Sequence, residues 1–241
     1  MFIGQPPQCS GYPEKMSSLP VGSLLDNAGP APYPARVTLT GRFTTLVPLD
    51  ATTHAEDLWN SGLNDPANND LWLYMGDGPY ADSASFRAGI GKKAASQDPL
   101  FFAILHNGKA IGYASLMRID TANRAIEVGH IMYTPLLQRT PAATEAMYLL
   151  AKYIFEDLGY RRYEWKCNSC NEPSRRAAAR LGFTYEGLFR QHYIIKGRNR
   201  DTAWFSMLDS EWPARRQAFE EWLSQANFDA GGCQIRALRR G

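Results

Sequence analysis

Residues Asn171 to Arg190 read NEPSRRAAARLGFTYEGLFR, and the elements around this stretch decide the fold. Asn171, Pro173 and Ser174 form a helix opening, because a short polar side chain caps a first turn and proline is tolerated near it. Gly182 closes that helix. Just upstream, Arg162 to Cys167 (RYEWKC) alternates as a strand does. Farther back, Ala125 to Tyr133 (AIEVGHIMY) is a β-branched, partly alternating run stopped by Pro135. Between the two strands apolar residues recur at Ala146, Leu149, Leu150, Tyr153, Ile154 and Leu158 before Gly159, with Thr144 as the expected cap. The unit is strand, helix, strand, helix, and a right-handed crossover sets the two strands parallel.

Outward from this unit, Arg36 to Leu49 alternates as a first strand. Thr53 to Leu63 and Ser83 to Ala95 read as helices flanking a loop rich in Trp, Tyr and Gly. Leu100 to Leu105 and Ala110 to Ile119 form a hairpin across Asn107-Gly108. Gly187 to Ile195 and Thr202 to Leu208 form a closing hairpin across Gly197 to Arg200. The expected fold class is α/β (α+β), with a mixed, mostly antiparallel sheet of about seven strands and flanking helices. The chain has 241 residues, 44% of them apolar and 12% aromatic, enough for one sizeable domain. Seven of the fifteen prolines fall in the first 34 residues, which lack a periodic apolar face. Three segments are therefore expected: a Pro/Gly-rich extension over 1–34 that wraps the domain or stays mobile, a domain over 35–225, and a basic, solvated tail over 226–241.

A net charge of +2 argues against nucleic acid as a partner. The N-terminus lacks a basic region followed by an apolar core, and no window approaches eighteen uninterrupted apolar residues, so a cytoplasmic protein without a membrane span is expected. Four cysteines, with Cys9 and Cys233 remote from the others, agree with a reducing compartment. Cys167 and Cys170 have metal or redox spacing, but no second pair follows, so no metal is expected. The Gly-x-Ser-x-Gly signature of a hydrolase does not occur.

The unit resembles the GNAT acetyltransferases, and within them the RimJ/RimL-like branch of ribosomal-protein N-terminal acetyltransferases and their small-molecule relatives. The resemblance rests on Gln138 to Ala146 (QRTPAATEA), Asn171, Ser174, Leu181-Gly182-Phe183, Glu186-Gly187 and Arg190, and covers roughly Pro34 to Trp212. It implies acetyl-CoA as acetyl donor, no metal, and an amine acceptor that is a small molecule or a protein N-terminus. The family's pyrophosphate loop aligns with Gln138, Arg139, Thr140, Pro141, Ala142 and Ala143, departing at Pro141, where glycine is usual and where proline has no amide to donate. The amides of Arg139, Thr140, Ala142, Ala143 and Thr144 are expected to face an anion at a helix N-terminus.

The resemblance also implies that the strand Ile126 to Thr134 splays from Arg162 to Cys167. Free amides near Met132 and Tyr133 would then polarise the thioester, a kind of contact worth on the order of 3 kcal/mol of barrier. Glu127 is the candidate general base, since an amine must lose a proton before it attacks. His130, three residues on, faces the other side of a regular strand, so the two act together only if a bulge intervenes, and His130 alone reads as a core residue. The family's Tyr acid, seven residues after the Asn, is replaced by Ala178, so Asn171 and Ser174 are the candidates for cofactor contact, and Ser174 or a water it orders for the proton donor. Acceptor contacts are expected from Trp72 and Tyr74 in the aromatic loop, with Trp59 and Tyr80, and from Arg190, His192 and Tyr193. A protein that keeps the fold and binds acyl-CoA or a ligand without turnover is the alternative from another class.

Overall fold

The computed structural model describes residues 21–239, so most of the 1–34 extension and the tail's last residues lie outside it. One sheet of eight strands organises the chain, in the order β1-β2-β3-β4-β5-β6-β8-β7. The strands are β1 (Leu39–Thr40), β2 (Thr45–Pro48), β3 (Leu100–His106), β4 (Lys109–Asp120), β5 (Ala125–Tyr133), β6 (Arg162–Asn168), β7 (Thr184–Ile195) and β8 (Arg198–Leu208). Only β5 and β6 are parallel; the other neighbours are antiparallel. The β3–β4 turn falls on Asn107-Gly108, both with positive φ, as the hairpin signal requires.

Two apolar clusters lie on opposite faces. On one, α3 (Pro141–Lys152), α4 (Glu172–Arg180) and α5 (Trp212–Leu223) contribute Met147, Leu150, Ala178, Phe219 and Trp222 against Ile126, Val128, Tyr163 and Trp165 of β5 and β6. On the other, α1 (Ala51–Leu58) and α2 (Ser83–Ala95) set Leu58, Phe86 and Ile90 on Phe101 and Tyr113. These helices cover the β2–β4 end, leaving the same face of β6, β8 and β7 without a helix of that cluster.

Two expectations are corrected. The run Arg36 to Leu49 is two short strands, because residues 41–44 turn around a buried carboxylate. Glu145, 4% exposed within α3, accepts the amides of Arg42 at 2.8 Å, Phe43 at 2.6 Å and Thr44 at 2.8 Å. The N-cap of α3 is Thr140, not Thr144: Thr140 Oγ1 accepts from the Ala143 amide, and Pro141 occupies the first turn, where its missing N–H leaves no helical bond unmade. Thr144 sits a turn inside, buried, with its hydroxyl accepting from Arg180 at 3.0 Å.

At the margins, the Ala31 amide donates to Thr121, Arg124 to the Asn27 carbonyl and Tyr160 to the Pro32 carbonyl, fixing this stretch against the sheet. Asn227 is buried, donating to Trp222 and Arg236, and Leu238 packs into the larger cluster, while Arg236 and Arg239 are exposed.

Replacing Glu145 by Ala leaves three turn amides without their charged acceptor and is expected to cost about 3 kcal/mol or more. Thermal unfolding reads this as a midpoint lowered by roughly 6 °C or more; a change under roughly 2 °C would show that the turn holds itself.

Candidate active site

Parallel pairing of β5 and β6 runs through Ala125↔Arg162, Ile126↔Tyr163, Glu127↔Glu164 and Val128↔Trp165, and then stops. Past that point β5 stays on β4 as far as Tyr133, and β6 stays on β8 as far as Asn168. The strands part, and the backbone of Gly129 to Tyr133 facing β6 has no strand partner. The Met132 carbonyl approaches Gly112, on the β4 side. Because a strand residue directs its N–H and C=O to one side, the amide facing the gap belongs to Tyr133, whose carbonyl accepts from Gln138 Nε2 at 3.0 Å. The Tyr133 hydroxyl donates to the Ala143 carbonyl, tying the strand to the first turn of α3.

That first turn lies at the end of the gap. Arg139 takes φ +61°, which swings the loop into the helix. The amides of Thr140 and Ala143 are already engaged, by the Leu137 carbonyl and by Thr140 Oγ1, each at 3.3 Å, and Thr144 is inside the helix. Of the five expected anion donors, Arg139, Ala142 and Thr144 have no acceptor among the described hydrogen bonds, and the first two lie ahead of or in the first turn.

On the other lip, Asn171 caps α4 by accepting the Ser174 amide at 3.2 Å. Ser174 Oγ accepts from the Trp165 indole N–H at 3.0 Å, which leaves its own proton to donate. Burial raises the neighbouring Cys167 thiol, and Ser174 acts against that. Ala178, where the family's Tyr would stand, is fully buried.

A bulge lies between the β5 partners of Tyr113 and Ser115, with His130 at φ +46°. It reverses the strand's alternation, so His130 comes to the side of Glu127, its ring 5.4 Å from Phe101. Burial holds the His130 imidazole below its ordinary range, and Lys93, Arg118 and Arg200 push the same way against Asp77. The core placement expected for His130 is thereby corrected: it is partly exposed beside the gap.

Glu127 itself is buried within a continuous ladder of alternating charge. Its Oε2 lies 2.8 Å from Arg118 and 2.9 Å from Lys166; Lys166 also meets Glu164 at 2.5 Å; Arg162 joins Glu164 at 2.6 Å and Glu186 at 2.5 Å. Lys166 additionally stands 3.8 Å over the Trp204 ring. Burial raises the Glu127 carboxyl, with Lys166 and Arg118 opposing.

The acceptor candidates separate. Trp72 is 1% exposed, packed edge-on against Tyr80 and Phe86, and shapes the loop from inside. Trp59 lies against Phe86 in the same cluster. Tyr74 spans the mouth, donating to the Cys170 carbonyl at 3.0 Å. Lys196, at the β7–β8 tip, donates to the carbonyls of Trp72, Asp77 and Gly78 and holds the loop against the hairpin. A second bulge, with Gln191 at φ +50°, brings His192 and Tyr193 together, ring centroids 3.8 Å apart, and His192 6.0 Å from Trp204. Arg190 is exposed, and its charge acts on Asp201 rather than on this group. Arg118, Lys166 and Arg200 were missed from sequence, since their convergence follows from strand order.

A family model described as an acetyltransferase (GNAT) domain matches residues 44–184. The chain belongs to the GNAT acetyltransferase family. It is an acyltransferase, and this GNAT protein is similar to a GCN5-related N-acetyltransferase from Brucella melitensis: 49% identity, TM-score 0.86, covering 89% of this chain and 97% of that one. The Bacillus subtilis protein YdaF, named a candidate ribosomal N-acetyltransferase, is 27% identical over 149 residues, 60% of this chain and 80% of its own, a likeness on the RimJ/RimL-like side of the family. The microcin C7 self-immunity acetyltransferase MccE, solved with acetyl-CoA and AMP, shares the fold at 23% identity and a TM-score of 0.59, covering 70% of this chain and 93% of that one. Among the described residues no helix is long and apolar enough to cross a membrane, and no group of three or more His, Cys, Asp or Glu is arranged to hold a metal ion.

An NMR titration of the His130 ring is expected to give a midpoint below 6.5, the ordinary value from which burial lowers it. A midpoint at or above that value would place the ring in solvent or against an acid.

Proposed function

We propose that this protein transfers the acetyl group of acetyl-CoA directly to a primary amine of a small molecule, both held at once. The observation that carries the reading is the gap between β5 and β6, which leaves strand backbone unpaired beside a helix N-terminus. Unpaired backbone polar groups away from water need partners, and a pantetheine amide chain can supply them. The Arg139 and Ala142 amides, with Gln138 beside them, suit the pyrophosphate. Pro141 removes one donor without disturbing the helix.

Acetyl-CoA supplies a thioester carbonyl that a neutral amine can attack. The Tyr133 amide is aimed into the gap to donate to that carbonyl oxygen. Glu127 is assigned as the base, since burial lifts its carboxyl toward working pH, with neutral His130 on the same side as the second group able to hold a proton. Ser174, its oxygen held by Trp165, donates toward the departing sulfur, and Asn171 positions Ser174 by capping the same turn. The mouth formed by Tyr74, His192 and Tyr193 receives the acceptor. A protein N-terminus is the second reading, favoured by the name of YdaF.

Acetyl-CoA at about a hundred times Kd is expected to stabilise the protein by roughly 2.7 kcal/mol, and ATP is not. A midpoint unmoved by acetyl-CoA would overturn cofactor use. Glu127→Gln is expected to lower kcat by about a hundredfold, with acetyl-CoA affinity little changed. Retained kcat in that variant, together with its loss in His130→Asn, would move the base to His130.

A further inference from the structure

Six of the charges on the acceptor side balance one another within one ladder. Arg118, Lys166 and Arg162 alternate with Glu127, Glu164 and Glu186, so the ladder closes on itself with each cation beside a carboxylate. Arg200, on β8 opposite Tyr193, is outside it. Among the described ion pairs it has none. Its Nε donates to Thr202 Oγ1 at 3.2 Å, and its guanidinium carbon stands 5.6 Å from the Tyr193 ring centroid. Arg118 is over the same ring at 5.7 Å and donates to the Tyr193 hydroxyl at 3.1 Å. The two guanidinium groups thus share one aromatic ring, which fixes their planes without neutralising either charge.

Arg200 is also partly buried, and burial lowers its pKa while the charge of Glu127 only partly offsets this. A guanidinium withdrawn from water without a carboxylate is costly, so its location calls for an anion. Glu127 is not free to turn to it, being held by Arg118 and Lys166. Arg200 adds positive charge at His130, Cys167 and His192, so it stands near both the gap and its mouth.

We propose that Arg200, with Arg118 across the Tyr193 ring, binds an anionic oxygen group on the acceptor, a carboxylate or phosphate, so that the favoured substrates are amines carrying negative charge. This rests on the acetyltransferase reading and narrows its acceptor. A planar guanidinium fork matches either group bidentately. Three sources offer the same chemistry: a free amino acid, an aminoalkyl phosphate, and a peptide whose first residue is acidic.

The experiment measures thiol release from acetyl-CoA with matched pairs: short ω-amino acids against their carboxamides, 2-aminoethyl phosphate against 2-aminoethanol, and peptides beginning with Asp against Asn. In at least one pair the wild-type protein is expected to favour the anionic member about tenfold or more in kcat/KM. Arg200→Gln is expected to erase that preference, leave the KM for acetyl-CoA unchanged and retain activity on the neutral member; Arg200→Lys is expected to restore part of it. The pair that responds identifies the source. Equal rates within every pair, or a preference that survives Arg200→Gln, would overturn the proposal. If no amine is turned over, the acetyltransferase reading fails separately, and calorimetric titration with the same anionic compounds still decides the anion site. Heat of binding in wild type and none in Arg200→Gln would support it; no binding in either would overturn it.

Discussion

The parting of β5 and β6 is the constraint on which the site depends. Four residue pairs hold the strands together, and beyond them each is anchored only on its far side, β5 by β4 and β6 by β8. The opening is therefore held from both edges and is not a frayed end. It is flanked by the first turn of α3 on one lip and the capped start of α4 on the other, so polar donors from three elements meet where strand pairing lapses. The bulge at His130 belongs to the same departure, because reversing the alternation of β5 keeps both of its faces in use after the ladder to β6 ends.

The ladder from Arg118 to Glu186 links β4, β5, β6 and β7 through their side chains, running from the paired part of β5 and β6 at Glu127 and Glu164 to Lys166, just past the last backbone pair. The buried charges at its centre, Glu127, Lys166 and Glu164, persist only when each has partners, and removing one member strands the next. Glu127 thus has two roles: it holds Arg118 and Lys166 in place, and its carboxyl is the one that burial lifts on this face.

The elements legible in the sequence were those whose signals are local. The strand, helix, strand, helix unit follows from periodicity and caps, and the Asn107-Gly108 hairpin from turn chemistry. The break at residues 41–44 was not legible, because its cause is Glu145, a hundred residues away. The expected cap of α3, Thr144, lies a turn too late, and Pro141 as a first-turn residue is the signal that points to Thr140. Nothing in AIEVGHIMY announces a left-handed His130, so the phase of Glu127 and His130 had to come from the register of β4. Among the candidate site residues, Asn171 and Ser174 were visible through their helix opening, whereas Arg118, Lys166 and Arg200 gain meaning only once β8 is known to insert between β6 and β7.

The Glu145 turn has a further consequence at Gly41. A Cβ there would stand 2.3 Å from the Glu145 carboxyl carbon, although Gly41 needs no unusual backbone angle. The glycine is required for space alone, and the space is taken by the group that orders the next three amides. The two positions form one unit of sequence. A side chain at 41 is tolerable only when 145 has shortened, and a shortened 145 leaves the turn to be rebuilt by other means, so among variant sequences with this fold the pair is expected to change together or not at all.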